Sequence, residues 1–160
     1  MIDVQILETT FSLIDVLKNP PAPSHGAQCV FSGMVRNHNQ GKKVLGVSYD
    51  AFTPLTLKSF QDICTEAKEK WGKDLYVQLW HRKGRLEVGE LSVAIVVSSR
   101  HRDESYRASR YIIEELKHRA PVWKMEHYED GDSEWLQGHA LCSHEPADHN
   151  HDSGHPSAHA

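Results

Sequence analysis

Residues 98–126 read SSRHRDESYRASRYIIEELKHRAPVWKME, and the rest of the fold is predicted outward from this stretch. Its first residues end an apolar strand, and residues 100–102 form a cationic turn after it. Asp103 occupies a helix N-cap or first-turn position, where the helix dipole favours an acidic side chain. Pro121 ends the helix, because proline cannot continue it and pushes the preceding residue out of the helical region. The stretch therefore predicts a strand, a helix, a sharp turn and a second strand.

The predicted helix has an apolar face and a cationic last turn. Apolar side chains lie on or near one face at Tyr106, Ile112, Ile113 and Leu116. Lys117 directly follows them and so lies at the edge of that face. Lys124 belongs to the next strand, where its side chain points away from those of both neighbours. We expect the two lysines to flank the sharp turn between helix and strand.

Composition limits the function classes. The chain has 160 residues, with 18 Lys plus Arg against 22 Asp plus Glu, a formal net charge of −4. Such a chain suits one domain and is not a general nucleic-acid or membrane binder, so an anion site must be local. No apolar run could span a bilayer and no signal-peptide pattern opens the chain. Three widely spaced cysteines argue against a disulfide scaffold and predict a reduced, cytoplasmic protein.

Periodicity and turn residues predict an α+β fold with a largely antiparallel sheet and two main helices packed on it. Strands are predicted at residues 2–7, 26–35, 44–52, 75–80, 91–98 and 122–128, with short segments at 85–88 and 134–137. A short helix is predicted at 11–18, and a long one with Thr53 as N-cap ends at Gly72. Gly33 marks a bulge, residues 37–43 a mobile loop, and Cys64 a small core hydrophobe.

A candidate anion site consists of cationic side chains at strand ends and helix ends: Arg36, His101, Arg102, Lys117 and Lys124. Arginines give bidentate contacts to phosphate, and lysines act as point charges or proton donors. Glu126 follows Lys124 by two residues, shares its face, and is the best-placed acidic partner. The competing interpretation is a scatter of solvated surface cations that never meet. His81-Arg82, a second His-Arg pair, is interpreted as structural.

Several segments of the chain resemble a known protein family. The segments FSGMVRNHNQGKKV, YDAFTPL, HRKGRLEVGE, SSRHRDESYRA and LKHRAPVWKME are similar to the large, catalytic subunit of molybdopterin synthase, in order, over about residues 26–136. The resemblance implies an α/β-hammerhead-like fold within a single catalytic domain, residues 1–137. It also implies a sulfurtransferase of molybdenum cofactor biosynthesis that converts cyclic pyranopterin monophosphate to molybdopterin.

The resemblance further implies partners and site residues. The sulfur would arrive as a thiocarboxylate on the C-terminal Gly-Gly of a small ubiquitin-like subunit, and the large subunit would form a homodimer within a heterotetramer. By similarity, Lys117 and Lys124 match the catalytic lysines. The matching substrate-binding positions are Met34, Val35, Arg36, His101, Arg102, Lys117, Lys124, Met125 and Glu126. No cofactor and no metal ligand is implied.

Two other functions compete with this interpretation. A non-catalytic adaptor could bind the tail of a ubiquitin-like protein along a sheet edge, but it would need no lysine pair. A single-stranded RNA binder is disfavoured by the net charge and by the lack of aromatic residues among the cations. Residues 138–160 are rich in histidine and poor in apolar residues, which predicts a disordered tail. His139 lies near a position where the family often has an arginine that reaches the neighbouring subunit.

Overall fold

The computed structural model describes residues 1–17 and 21–137. These ranges contain three helices: α1 (Leu13–Val16), α2 (Thr53–Trp71) and α3 (Arg102–Arg119). They also contain ten strands: β1 (Ile2–Leu7), β2 (Ala27–Met34), β3 (His38–Asn39), β4 (Lys42–Ala51), β5 (Tyr76–Arg82), β6 (Gly84–Glu87), β7 (Leu91–Ser99), β8 (Val122–Tyr128), β9 (Gly131–Asp132) and β10 (Leu136–Gln137). No helix of the described ranges is long and apolar enough to cross a membrane. The predicted tail, 138–160, and His139 lie outside these ranges.

The strands form two sheets that confirm the predicted α+β class. The first has the order β1-β5-β7-β2, in which β1 runs parallel to β5 and the other pairs are antiparallel. The second is antiparallel and is built on β4 and β8, with β10 and β3 outside them and β6 and β9 alongside. β2 is the edge strand of the first sheet, and β8 follows α3 directly, so the turn between α3 and β8 links the two sheets.

Helices α2 and α3 cover one face of the first sheet. Their buried side chains meet the inward side chains of β5 and β7 in one core cluster that includes Phe60, Ile63, Cys64, Ala67, Leu79, Ile95, Ala108, Ile112 and Leu116. Cys64 is fully buried, and burial raises the pKa of its thiol to about 12. The prediction that Cys64 is a core hydrophobe is confirmed.

Local predictions hold where a single residue decides the geometry. The register of β2 on β7 shifts between Gly33 and Met34, which confirms the predicted bulge. A Cβ on Gly33 would lie 2.8 Å from Val93 Cγ1, so the close approach of the strands requires glycine. After the shift Val35 is buried and Met34 is 59% exposed, so the chain delivers Arg36 to the end of the sheet.

Three local predictions are wrong. Phe52, not Thr53, is the N-cap of α2, because its carbonyl accepts the first helical hydrogen bond from the Thr56 N–H at 2.9 Å. Residues 37–43 form the β3–β4 hairpin, with Gln40 and Gly41 at positive φ in its turn. Tyr106 is 64% exposed, because the close packing of α3 on the sheet admits only small side chains around it (Ser105, Ala108 and Ser109).

Candidate active site

The sharp exit from α3 opens a pocket. Ala120 is extended rather than helical, and Pro121 follows it, so the chain turns away immediately after the last helical residue. The pocket beside this turn is narrow, with a volume of about 60 Å³. Its lining residues are Tyr49, His81, Ser92, Val93, Ile113, Leu116, Lys117, Ala120, Val122 and Lys124. Lys117 and Lys124, which the sequence places on the two sides of the turn, therefore line one cavity.

Lys124 is fixed by a carboxylate behind it. Its Nζ lies 3.0 Å from Oε1 of Glu126, which is 5% exposed. Asn39 Nδ2 donates to the other oxygen, Oε2, at 2.8 Å, and the Tyr128 hydroxyl donates to the same atom. Burial opposes ionisation of Glu126, but these hydrogen bonds and Lys124 outweigh it and lower the pKa of the carboxyl. Glu126 is therefore a carboxylate at neutral pH, and its contact with Nζ holds the Lys124 side chain in place.

Side chains of the protein surround the Glu126 carboxylate. Both carboxylate oxygens are occupied by side chains of the protein, and the residue is buried. Glu126 thus acts on Lys124. Met125 points to the other face of β8 and is not among the lining residues of the pocket.

A test follows from the lowered pKa of Glu126. A carboxyl whose folded pKa lies below its unfolded value of 4.5 stabilises the fold above that pH, and this contribution is lost as the pH falls through the folded pKa. Glu126→Gln should therefore lower the free energy of unfolding by about 1–2 kcal/mol at neutral pH. The deficit should shrink below about pH 4. Urea denaturation at both pH values measures it, with exposed Glu129→Gln as the control; equal deficits at both pH values would contradict the assignment.

Lys117 has a neutral neighbour instead of a carboxylate. It lies in the last turn of α3 and is exposed along part of its length. His81, on β5, lines the same pocket and is buried. Burial lowers the pKa of His81 to about 4, against the opposing effect of a hydrogen bond to the Arg82 carbonyl, and the charge of Lys117 lowers it further. The two lysines thus occupy different electrostatic surroundings.

Arg36 lies at the same end of the first sheet as the lysine pocket. Val35 N–H donates to the Glu90 carbonyl at 3.0 Å, and Gly89 N–H donates to the Val35 carbonyl at 2.8 Å. These bonds fix the chain just before Arg36 beside the start of β7. Because α3 runs back along β7, its last turn, with Lys117, reaches this end of the sheet as well.

His101 and Arg102 lie at the opposite end of α3. With Arg100, Asp103, Gly26 and Ala27 they line a separate cleft of about 490 Å³ at the helix N-terminus. Lys117 follows Arg102 by 15 residues in α3, and this length of helix, about 22 Å, separates the cleft from Lys117. Within one chain, the predicted cationic residues therefore fall into two groups, one at each end of α3.

The sequence predicts a structural role for the pair His81-Arg82, but in the structure the two residues have different surroundings. Arg82 is buried, donates to Thr10 Oγ1 at 3.3 Å and lies 3.7 Å from Glu90, so it is structural. His81 lines the lysine pocket. The alternation of a strand places consecutive side chains on opposite faces, and that signal could have separated the two residues.

The chain is similar to known proteins of one family. The model of the MoaE protein family matches residues 6–119. A molybdopterin synthase catalytic subunit from Synechococcus elongatus is 49% identical over 118 residues, covering 74% of this chain and 72% of the relative. The crystal structure of molybdopterin synthase from Staphylococcus aureus superposes with a TM-score of 0.77 and 34% identity, over 82% of this chain and 94% of that one.

A third relative shares the fold at lower identity. It is a complex of subunits 1 and 2 of molybdopterin-converting factor from Helicobacter pylori, with a TM-score of 0.66 and 24% identity over 81% of this chain and 87% of that one. The family match spans more than half of the chain, and the Synechococcus relative is covered over more than two thirds of its length. The chain belongs to the MoaE protein family.

Proposed function

We propose that this chain is the catalytic subunit of a molybdopterin synthase. It would transfer sulfur from a thiocarboxylated, ubiquitin-like small subunit to cyclic pyranopterin monophosphate, in the cytoplasm. Family membership supports the reaction class. The observation that carries the proposal is the pocket at the end of α3, which Lys117 and Lys124 both line.

The pocket suits an extended chain terminus better than a pterin. Its narrow shape favours a chain without side chains, as a terminal Gly-Gly would be. The cations around it suit the negative charges of a thiocarboxylate and a cyclic phosphate. We therefore place the tail in the narrow pocket and the phosphate-bearing substrate at its mouth.

Two positive charges fit the steps of sulfur transfer. For each sulfur, the thiocarboxylate sulfur bonds to a substrate carbon and an oxygen leaves that carbon as it gains a proton. Water then cleaves the acyl–sulfur bond, so the sulfur stays on the substrate and the tail leaves as a carboxylate. Lys117 would stabilise negative charge on the tail carbonyl, and Lys124, positioned by Glu126, would protonate the leaving oxygen.

A complete site requires a second copy of the chain. Arg102 lies about 22 Å from Lys117 along α3, and His101 lies just before it. A two-fold axis through the middle of α3 reverses its direction. It would place the second copy's His101 and Arg102 beside the first copy's lysines. We therefore propose a homodimer in which each site takes residues from both subunits.

An exposed apolar groove lies where this axis would pass. It runs between β2 and α3, has a volume of about 450 Å³, and is lined by Cys29, Val30, Phe31, Tyr106, Ser109, Arg110, Ile113 and Glu114. Phe31 is 38% and Tyr106 64% exposed in the single chain. Ile113 also lines the lysine pocket, so this face continues into the site. Contact between two such faces would bury these side chains and cover the edge of β2.

The small subunit is the second partner. The Helicobacter pylori structure of similar fold was solved as a complex of two subunits. One small subunit on each end of the homodimer, with its tail in the adjacent pocket, would give a heterotetramer. Each end of the dimer carries one lysine pocket, which sets the expected ratio of one small subunit per chain.

Mass spectrometry tests the proposed reaction. The chain, a thiocarboxylated small subunit from the same genome, and cyclic pyranopterin monophosphate are mixed, and the pterin product is examined for two added sulfurs. We expect both sulfurs on the pterin and a matching loss of thiocarboxylate. Binding of the small subunit without any sulfur on the pterin would support the adaptor function instead.

A further inference from the structure

His81 offers the lysine pocket a hydrogen-bond acceptor. Its Nδ1 lies 2.7 Å from the Arg82 carbonyl oxygen. A carbonyl can only accept, so Nδ1 carries a proton and donates it. Among the described residues the ring makes no other hydrogen bond, and His81 lines the pocket together with Lys117 and Lys124. In a neutral ring with Nδ1 protonated, Nε2 has a free lone pair.

The ring is neutral and held in place. Burial lowers the pKa of His81 to about 4, so the imidazole is uncharged at physiological pH. Tyr49 packs edge-on against it, with ring centroids 5.0 Å apart and an angle of 82°, and Phe60 lies on another side at 6.3 Å. A base this weak does not take a proton from an ammonium group in neutral solution. The role that remains for Nε2 is to accept a hydrogen bond.

A peptide tail in this pocket presents a donor as well as acceptors. Its terminal carbonyl and sulfur attract the two lysines, which are donors only. Its backbone N–H groups lose water in the narrow cavity and need acceptors, because an unpaired buried N–H is costly. Glycine residues have no side chains, so the backbone alone must be recognised.

We propose that Nε2 of His81 accepts a hydrogen bond from a backbone N–H of the small subunit's terminal Gly-Gly, an inference that rests on the proposed function. His81 is then a positioning residue, which fixes the tail so that its carbonyl faces Lys117. The lysines bind the charged end of the tail, and His81 sets the direction from which it enters. A tail with a bulkier last residue would be rejected by the cavity, and a tail without the N–H would leave Nε2 unpaired.

A matched pair of variants tests this role. His81→Asn can retain the donor to the Arg82 carbonyl but lacks an acceptor at Nε2, whereas His81→Gln can place its amide oxygen at that position. Binding of the same-genome small subunit is measured by isothermal titration calorimetry, with the full tail and with its two terminal glycines removed. We expect the Asn variant to bind the full-length subunit about tenfold more weakly than wild type. The Gln variant should lose less, and the truncated subunit should bind all three proteins equally.

The outcomes separate the two proposals. Wild-type protein that binds full-length and truncated small subunit equally would overturn the tail pocket, and with it the proposed function. If the Asn variant still prefers the full-length small subunit over the truncated one as strongly as wild type does, the proposed role of His81 is overturned. The tail pocket itself would stand. In steady-state assays the Asn variant should raise KM for the thiocarboxylated subunit more than it lowers kcat. A fall in kcat alone, with KM unchanged, would contradict a positioning role.

Discussion

Replacing Lys117 or Lys124 by alanine should lower the rate of product formation at least about 100-fold. The two ammonium groups line one narrow pocket, where charge stabilisation and proton donation are not replaced by water. The Lys117 side chain is exposed and the Lys124 side chain is partly exposed, so the fold should survive either alanine substitution. Single-turnover mixing followed by mass spectrometry of the pterin measures the rate, and circular dichroism verifies the fold.

A lysine outside the pocket provides the control. Lys58, on the exposed side of α2, pairs with Asp62 at 3.0 Å, so Lys58→Ala should leave the rate unchanged. Arginine variants then divide the roles, since arginine keeps the charge but is a poor proton donor. Lys117→Arg should retain more activity than Lys124→Arg if Lys117 acts through charge and Lys124 through its proton. Alanine variants with rates within threefold of wild type would remove both lysines from the mechanism.

Much of the fold follows from the sequence because single residues decide it. Pro121 forces the end of α3, and the cationic last turn lies at the C-terminal end of the helix, where the dipole favours positive charge. Position 33 requires glycine because Val93 Cγ1 lies where a Cβ would come too close. The apolar run of β7 is buried on both faces, as its uninterrupted β-branched sequence predicts. These features depend on local chemistry, which a sequence displays directly.

The site was less predictable because it depends on direction and distance. Arg36, His101, Arg102, Lys117 and Lys124 all lie at element ends, and the sequence does not state which ends coincide. The return of α3 along β7 brings the lysine pocket to the end of the sheet where Arg36 lies, and the His101-Arg102 pair lies at the far end. The place of His81 in the pocket was missed because the sequence prediction treats the His-Arg pair as one unit, although the two side chains leave the strand on opposite faces.

This split site predicts complementation between inactive subunits. In a homodimer whose sites combine Lys117 of one chain with His101 of the other, a mixed dimer of Lys117→Ala and His101→Ala chains has one site with both changes and one site with neither. Each variant homodimer should be impaired. The mixed dimer, purified through two different affinity tags, should recover about half of the wild-type rate.

A second mixed dimer shows whether recovery of activity depends on His101 of the other chain. Lys117 and Lys124 belong to the same pocket of the same chain, so a mixed dimer of Lys117→Ala and Lys124→Ala chains has one defective lysine in each site and should recover no activity. Recovery in the first pairing and none in the second can arise only if His101 acts across the interface. If neither pairing recovers activity, the His101-Arg102 cleft serves some role apart from the lysine pocket. The distance of about 22 Å between Arg102 and Lys117 would then separate two functions within one chain instead of joining two chains in one site.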